Sequence, residues 1–134
     1  MVARRALHVF SPQLLQEGLA QLSQGEFFRG GSLDTALSHL AEQAARLAGV
    51  ERAGIWAFNA SHAELRCLEL FTLSRQRHSA GEMIVTEHYP AYFDALRRDG
   101  SVVADDVYGH PAMLGFSDSY LLRHGITATL DTAI

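Results

Sequence analysis

One short run of this sequence, residues 52–59, reads Arg52-Ala53-Gly54-Ile55-Trp56-Ala57-Phe58-Asn59 and has apolar residues on both faces of an extended chain. Successive side chains of a β-strand point to opposite faces, so Ala53 and Ile55 share one face while Trp56 and Phe58 share the other. A strand that is apolar on both faces is typical of the middle of a sheet. The run therefore predicts an interior strand that is covered by helices on both sides.

Further strands follow along the chain. Turn-forming residues at 59–63 and an apolar segment at 64–73 predict that the first strand continues into an antiparallel hairpin. The segment 75–81 is predicted to be a polar loop, with brief strands after it at Met83–Val85 and Val102–Ala104. The stretch Ile126–Ile134 alternates apolar and polar residues, which predicts a half-buried strand.

The N-terminal segment is predicted to be a helix followed by a hinge. Ser11 and Pro12 suit the cap and the first turn of a helix, which is predicted to end near Gly25. Phe27-Phe28-Arg29-Gly30-Gly31 predicts a hinge, because its glycines allow the chain to turn. The chain is accordingly divided into a helix and hinge over residues 1–31 and one domain over residues 32–134.

Three more helices are predicted within that domain. Apolar residues at helical spacing follow Ser32 and stop at Gly49, which predicts the longest of the three. Pro90 begins the next, and Ser117 is predicted to cap a short last helix that ends at Gly125. Helices, a hairpin and short strands in this order predict an α+β domain with an antiparallel sheet and helices on both faces.

The composition of the chain indicates which classes of partner and which compartment to expect. The chain has 134 residues, a formal net charge of −4 and no stripe of basic residues, so neither a nucleic acid nor a membrane partner is expected. Cys67 is the single cysteine, which excludes an internal disulfide. Because the first ten residues lack the apolar run of a signal peptide and no run reaches membrane-spanning length, we expect a cytoplasmic protein.

Two groups of polar residues suggest a metal site or a catalytic site, and both groups have simpler interpretations. His78, His88, His110 and His124 fall in or beside predicted loops, but they lack a recognised metal-ligand spacing, so no metal site is predicted. Asp105 and Asp106 are adjacent, and adjacent residues on a strand point to opposite faces. We therefore predict that these aspartates form a turn and are not a pair of catalytic acids.

Several segments resemble, in order, those of a GAF domain. They are Ser32–Leu37, Ala53–Phe58, Leu65–Leu70, Arg77–Gly81, Tyr89–Phe93, Ala104–Asp106, Ser119–Leu121 and Gly125–Asp131. The subgroup that they resemble precedes histidine kinase, diguanylate cyclase or phosphodiesterase modules in bacterial signalling proteins. The resemblance implies a fold related to those of PAS domains and profilin. The chain departs from it at Thr132-Ala133-Ile134, where a proline commonly precedes the last isoleucine, and it lacks the family's last strands and closing helix.

A small-molecule pocket is expected between the sheet and the later helices. Its predicted lining is mostly aromatic, with one aspartate as a polar contact: Trp56, Phe71, Tyr92, Phe93, Tyr108 and Tyr120, with Asp105. Large aromatic side chains also dominate protein cores, so an ordinary core role for these residues remains open.

The resemblance implies a non-catalytic sensory or regulatory domain of bacterial signal transduction. Such a domain binds a small molecule or a partner and modulates an output module, here a histidine kinase or a cyclic-di-nucleotide enzyme in the same or another chain. The identity of any cofactor is left open. One alternative is a structural dimerisation module without a ligand. A remoter alternative is an enzyme like methionine sulfoxide reductase, although that branch of the family relies on several cysteines and this chain has only Cys67.

A homodimer is also expected. In GAF domains the strands that are missing here lie beside the strand that matches residues 52–59. Without them that strand has an open edge, and open edges are prone to pair with another chain. We therefore expect a second copy to cover this edge.

Overall fold

The structure is a computed structural model that describes residues 33–116 and 118–133. The predicted N-terminal helix, the hinge and the domain boundary after residue 31 lie outside the described residues, as does the predicted helix cap at Ser117. The described part contains three helices, six strands and two turns of 3₁₀ helix. These are α1 (Leu33–Ala48), β1 (Arg52–Phe58), β2 (Glu64–Thr72), β3 (Arg77–Ser79), β4 (Met83–Val85), a 3₁₀ turn (Thr86–His88), α2 (Pro90–Asp99), β5 (Ser101–Ala104), a second 3₁₀ turn (Pro111–Met113), α3 (Tyr120–His124) and β6 (Thr129–Thr132).

The strands form two antiparallel sheets. In the larger sheet β2 pairs with β1 along one edge and with β3 and β4 along the other. In the smaller sheet β5 pairs with β6, and Val102 lies opposite Asp131. The predicted α+β class with antiparallel pairing is therefore confirmed. The polar loop predicted at residues 75–81 is wrong in part, since Arg77–Ser79 forms β3.

The prediction that residues 52–59 lie in the middle of a sheet is wrong for the part of the chain that the structure describes. There β1 pairs only with β2, so it is an edge strand, and none of its residues is fully buried. Its two-sided apolar pattern has another cause, because elements pack against both faces of β1 even though one edge is unpaired. An apolar pattern reports what covers the faces of a strand and carries no information about its edges.

A β-bulge at Leu68 changes the direction of the side chains along β2. Ile55 lies opposite Glu69 and Trp56 lies opposite Cys67, so Leu68 has no direct partner in β1. An extra residue of this kind breaks the alternation of the strand. As a result Glu69 faces α1, whereas Cys67 lies on the same face as Trp56.

The core has one layer on each face of the larger sheet. On one face Ala41 and Ala45 of α1 pack against Val50 and Phe71. On the other face buried residues of α2, α3, β4 and the second sheet form a larger cluster, with Trp56 partly buried against it. The predicted arrangement of helices on both faces is thus present in the described residues.

The last strand is shorter than predicted. The backbone N–H of Ile126 bonds to the carbonyl of Leu121 at 2.8 Å and closes the end of α3, so pairing with β5 begins only at Thr129. Helix ends agree better with the sequence, because α2 begins at Pro90 and Gly125 follows α3 in the left-handed conformation.

Candidate functional site

Four of the predicted site residues meet in an aromatic cluster around Phe116. The rings of Trp56 and Tyr120 lie edge to face with their centres 6.0 Å apart, and Tyr120 lies 6.3 Å from Phe116. On α2 the rings of Tyr92 and Phe93 lie 4.8 and 6.4 Å from Phe116. Tyr92 and Phe93 are buried, so these two serve the core. The cluster holds α2 and α3 against the sheet.

The other three predicted site residues lie apart from this cluster. Phe71 is buried beneath α1, on the opposite face of the sheet. Asp105 and Tyr108 are exposed in the loop that follows β5. The predicted turn role applies to Asp106, whose Oδ1 accepts a hydrogen bond from the Tyr108 N–H at 3.0 Å. The structure therefore brings together four of the seven residues.

A cleft of about 370 Å³ opens where the end of α3 lies beside the start of β1 and the end of β2. Its lining contains three arginines and a histidine but one glutamate. The lining residues are Glu51, Arg52, Thr72, Arg75, Leu122, Arg123, His124 and Gly125. We call this site the basic cleft.

Arg52 is the half-buried cation of the basic cleft. Its Nη2 donates a hydrogen bond to the Tyr120 hydroxyl at 3.2 Å. Among residues 33–116 and 118–133 no carboxylate lies within 4.0 Å of the guanidinium of Arg52 or Arg75. Withdrawing a charge from water is unfavourable unless a partner of opposite charge offsets it. A neutral phenol is an incomplete partner for Arg52, so the cleft favours an anion.

A charged layer joins α3 to the loop before β4. Oε1 of Glu82 accepts a hydrogen bond from Arg123 at 2.8 Å and lies 3.1 Å from His124 Nε2. One turn earlier, the ring of Tyr120 packs against the ring of His124 with their centres 4.6 Å apart. Because Tyr120 also accepts the bond from Arg52, the layer connects the sheet to α3. His124 thus has a carboxylate partner in addition to its favourable place at a helix end.

The thiol of Cys67 lies on the same side of the sheet. Burial, helped by the carboxylates of Glu82 and Glu69 and opposed by Arg52, raises the pKa of Cys67 to about 11. The reactive form of cysteine is the thiolate, which is scarce at neutral pH when the pKa is this high. Cys67 is also only 2% exposed. Its environment is that of an inert core thiol.

A second polar network lies on the opposite face and joins α1 to the sheet. The buried carboxylate of Glu69 accepts a hydrogen bond from Ser38 Oγ at 3.0 Å and lies 2.6 Å from His78 Nδ1. The other ring nitrogen of His78 lies 3.5 Å from Glu42. His78 therefore fastens β3 to α1, which is a structural role.

Another cleft, of about 560 Å³, lies between α2, β5 and the second 3₁₀ turn. Its acidic rim residues already have cationic partners: Asp99 is 2.7 Å from Arg98, and Asp94 is 3.1 Å from Arg97. His110 caps the turn by accepting a hydrogen bond from Ala112 N–H at 3.1 Å. This cleft therefore offers no charge that lacks a partner, in contrast to the basic cleft.

Sequence reasoning missed the arginines of the basic cleft. Arg52, Arg75 and Arg123 are far apart in the sequence and meet only because the hairpin end lies beside the end of α3. One signal was available, since Arg52 begins a strand that is otherwise apolar. A second was the pair Arg123-His124 directly before Gly125.

No known protein-family model, curated protein or solved structure matches this chain. Within the described residues, no group of three or more His, Cys, Asp or Glu side chains is placed to hold a metal ion. None of the helices in that part of the chain is both long and apolar enough to cross a membrane.

Proposed function

We propose that this chain is a non-catalytic sensory or regulatory domain of the GAF kind, which binds a small molecule and modulates an output module. The observation that supports this most is the half-buried guanidinium of Arg52 in the basic cleft, whose hydrogen-bond partner among the described residues is the neutral hydroxyl of Tyr120. Cofactor and substrate sites are typically concave and contain a few convergent polar groups of this kind.

The cleft also offers a way to transmit a signal. Its walls come from the β1–β2 hairpin on one side and from the last turn of α3 on the other. A ligand shifts a conformational equilibrium only if it binds one arrangement better than another. A ligand held between Arg52 and α3 would favour the arrangement in which these two elements are close. The proposed output is a histidine kinase or a cyclic-di-nucleotide enzyme in the cytoplasm.

The environment of Cys67 supports a binding function over thiol chemistry, because the thiol is buried and its pKa is raised to about 11. We expect that Cys67 is not the source of any methionine sulfoxide reduction, so that Cys67→Ser leaves such activity unchanged. Activity that is present in the wild type and lost in Cys67→Ser would reverse this part of the proposal.

A thermal-shift screen tests the binding function. A ligand that binds only the folded state raises the melting temperature, and at a concentration of about 100 times its Kd it adds about 2.7 kcal/mol to the free energy of unfolding. Nucleotides, uncharged nucleosides, amino acids, organic acids and haem form a suitable panel. We expect at least one compound to raise the melting temperature in a saturable way. A panel without any such compound would contradict the proposed function.

The unpaired edge of β1 favours a second candidate, a dimerisation module. Along this edge the backbone N–H and C=O groups of β1 have no strand partner among the described residues, and Phe58 is 41% exposed. Unprotected edges of this kind pair readily with a further strand. A second copy of the chain would supply that strand in an antiparallel arrangement around a twofold axis.

Light scattering coupled to size exclusion tests this candidate at micromolar concentrations. We expect a dimer that Ala57→Lys converts to a monomer, because a lysine on an edge strand opposes pairing. Leu68→Lys introduces the same charge on the neighbouring strand at a position that is 41% exposed, and it serves as the control. A wild-type monomer would rule out the dimerisation module.

A further inference from the structure

We infer that the basic cleft binds a small anionic ligand through phosphate or carboxylate oxygens that contact Arg52 and Arg75. This inference rests on the proposed function, because it names the ligand class of the same site.

The acidic groups near the cleft already have partners. The carboxylate of Glu51 accepts hydrogen bonds from the backbone N–H of Ser74, at 3.2 Å, and from its hydroxyl. Glu82 accepts the bond from Arg123 and lies beside His124. Glu82 is paired with Arg123, whereas Glu51 keeps its negative charge because its donors are neutral, and it lies more than 4.0 Å from the guanidinium groups of Arg52 and Arg75. Two arginines without an ion pair against one such carboxylate leave the cleft with an excess of positive charge.

The donor geometry suits oxyanions. A guanidinium presents five N–H donors in a planar fork that matches the paired oxygens of carboxylate and phosphate groups. Arg52 uses one side-chain bond to hold the Tyr120 hydroxyl at 3.2 Å, and that bond fixes the orientation of the fork. Arg75 lines the same cleft from the turn after β2 and is exposed, so it can approach a ligand from the open side.

Tyr120 can add a donor to the same ligand. Burial raises the pKa of Tyr120 to about 12, so its hydroxyl keeps its proton at neutral pH. The oxygen accepts from Arg52, and since no acceptor for the proton is found within residues 33–116 and 118–133, the proton can point at a ligand atom. An anion bound at Arg52 would thus contact α3 directly as well as the hairpin.

The size of the cleft indicates a small ligand. About 370 Å³ is near the lower end of the volumes found for small-molecule sites. Nucleic acid binding requires basic side chains spread along a path of many phosphates, and here the basic side chains surround one concavity. We therefore assign the site to a compact metabolite that carries one or two anionic groups.

Pyrophosphate and citrate are the probes for the two oxyanion classes, titrated at constant ionic strength against sodium chloride. Trp56 is the only tryptophan of the chain, and its ring centre is 6.0 Å from that of Tyr120, so its fluorescence reports on the cleft. We expect one or both probes to change this fluorescence in a saturable way and to raise the melting temperature. A response to pyrophosphate alone indicates that the ligand's anionic group is a phosphate, and a response to citrate alone indicates that it is a carboxylate.

Two variants and a matched control locate the site. Arg52→Gln and Arg75→Gln should each raise the apparent Kd at least about tenfold, the scale expected for loss of a charge-assisted hydrogen bond. Arg97→Gln removes an equal charge from an arginine on α2 that is 76% exposed, and it should bind as the wild type does. Arg75 is exposed, so its variant tests the site even where Arg52→Gln impairs folding.

The outcomes distinguish a failure of the anion site from a failure of the sensory function. Absence of a saturable response to either probe at millimolar concentrations overturns the anion site, as does an unchanged Kd in both arginine variants. If a neutral compound of the screening panel then stabilises the protein, the sensory function stands without the anion. If no compound of either kind binds, both proposals fail.

Discussion

Asp131 of β6 is half-buried beside α2. Burial raises its pKa to about 6 even though a hydrogen bond with the Tyr92 hydroxyl lowers it. The ordinary value for aspartate is 3.8, so the folded protein binds this proton more tightly than the unfolded chain does. The stability that Asp131 contributes is therefore complete below about pH 4 and is lost as the pH rises through about 6.

We predict that Asp131→Asn stabilises the protein at pH 7.5 and does so to a much smaller extent at pH 4.5. Asparagine keeps an acceptor for Tyr92 without the charge, and the full pKa difference corresponds to about 3 kcal/mol as an upper limit. Urea unfolding at the two pH values measures the effect. Asp94→Asn, at an exposed position on α2, is the control. An equal effect of Asp131→Asn at both pH values would show that Asp131 is not desolvated.

Gly54 makes room for the indole of Trp56. A Cβ atom at this position would lie 2.8 Å from Trp56 Nε1 and 3.0 Å from Leu70 Cδ1. We predict that Gly54→Ala lowers the free energy of unfolding by about 1–3 kcal/mol, because forced overpacking costs that much, and that it alters Trp56 fluorescence. At Gly109 the nearest atom to an added Cβ would be 3.4 Å away, so Gly109→Ala should change neither quantity. An unchanged fluorescence in Gly54→Ala would contradict this packing.

At the scale of secondary structure, α1 is fastened to the sheet by a polar contact as well as by its apolar face. Ser38 donates to the buried carboxylate of Glu69 at 3.0 Å. We predict that Ser38→Ala lowers the free energy of unfolding by about 1–2 kcal/mol, since the carboxylate loses a donor where water cannot fully replace it. Chemical denaturation measures this, with the exposed turn residue Ser61 as an alanine control. If Ser38→Ala lowers the free energy of unfolding no more than Ser61→Ala does, apolar packing alone holds α1 against the sheet.

The secondary structure also shows why helices were predicted better than strands from the sequence. The starts and ends of helices are local signals, and Pro90 and Gly125 mark them where the structure has them. The bulge at Leu68 arises from the pairing of two strands, so no periodicity within either strand reports it. The edge position of β1 likewise depends on which strands return to it. Non-local pairing is the part that a pattern within one segment cannot show.

At the scale of the whole molecule, none of the seven predicted site residues lines the basic cleft, although Tyr120 contacts Arg52 at its edge, and the sequence missed the charged residues that do line it. Trp56 and Tyr120 were predicted and do meet, because bulky apolar residues cluster wherever helices cover a sheet. Arg52 and Arg123 are separated by seventy residues and come to one cleft only through the packing of α3 over the hairpin. A site built from single charges on distant elements leaves no motif in the sequence.

A small anion bound in the basic cleft at Arg52 is what would make this domain a sensor. The most direct measurement is the mapping of backbone amide chemical shifts by NMR during titration with pyrophosphate and, separately, with citrate. We predict that at least one of them causes saturable shifts concentrated at Arg52, Thr72, Arg75 and His124. Shifts concentrated instead around His110 in the other cleft, or no saturable shifts with either anion, would contradict it.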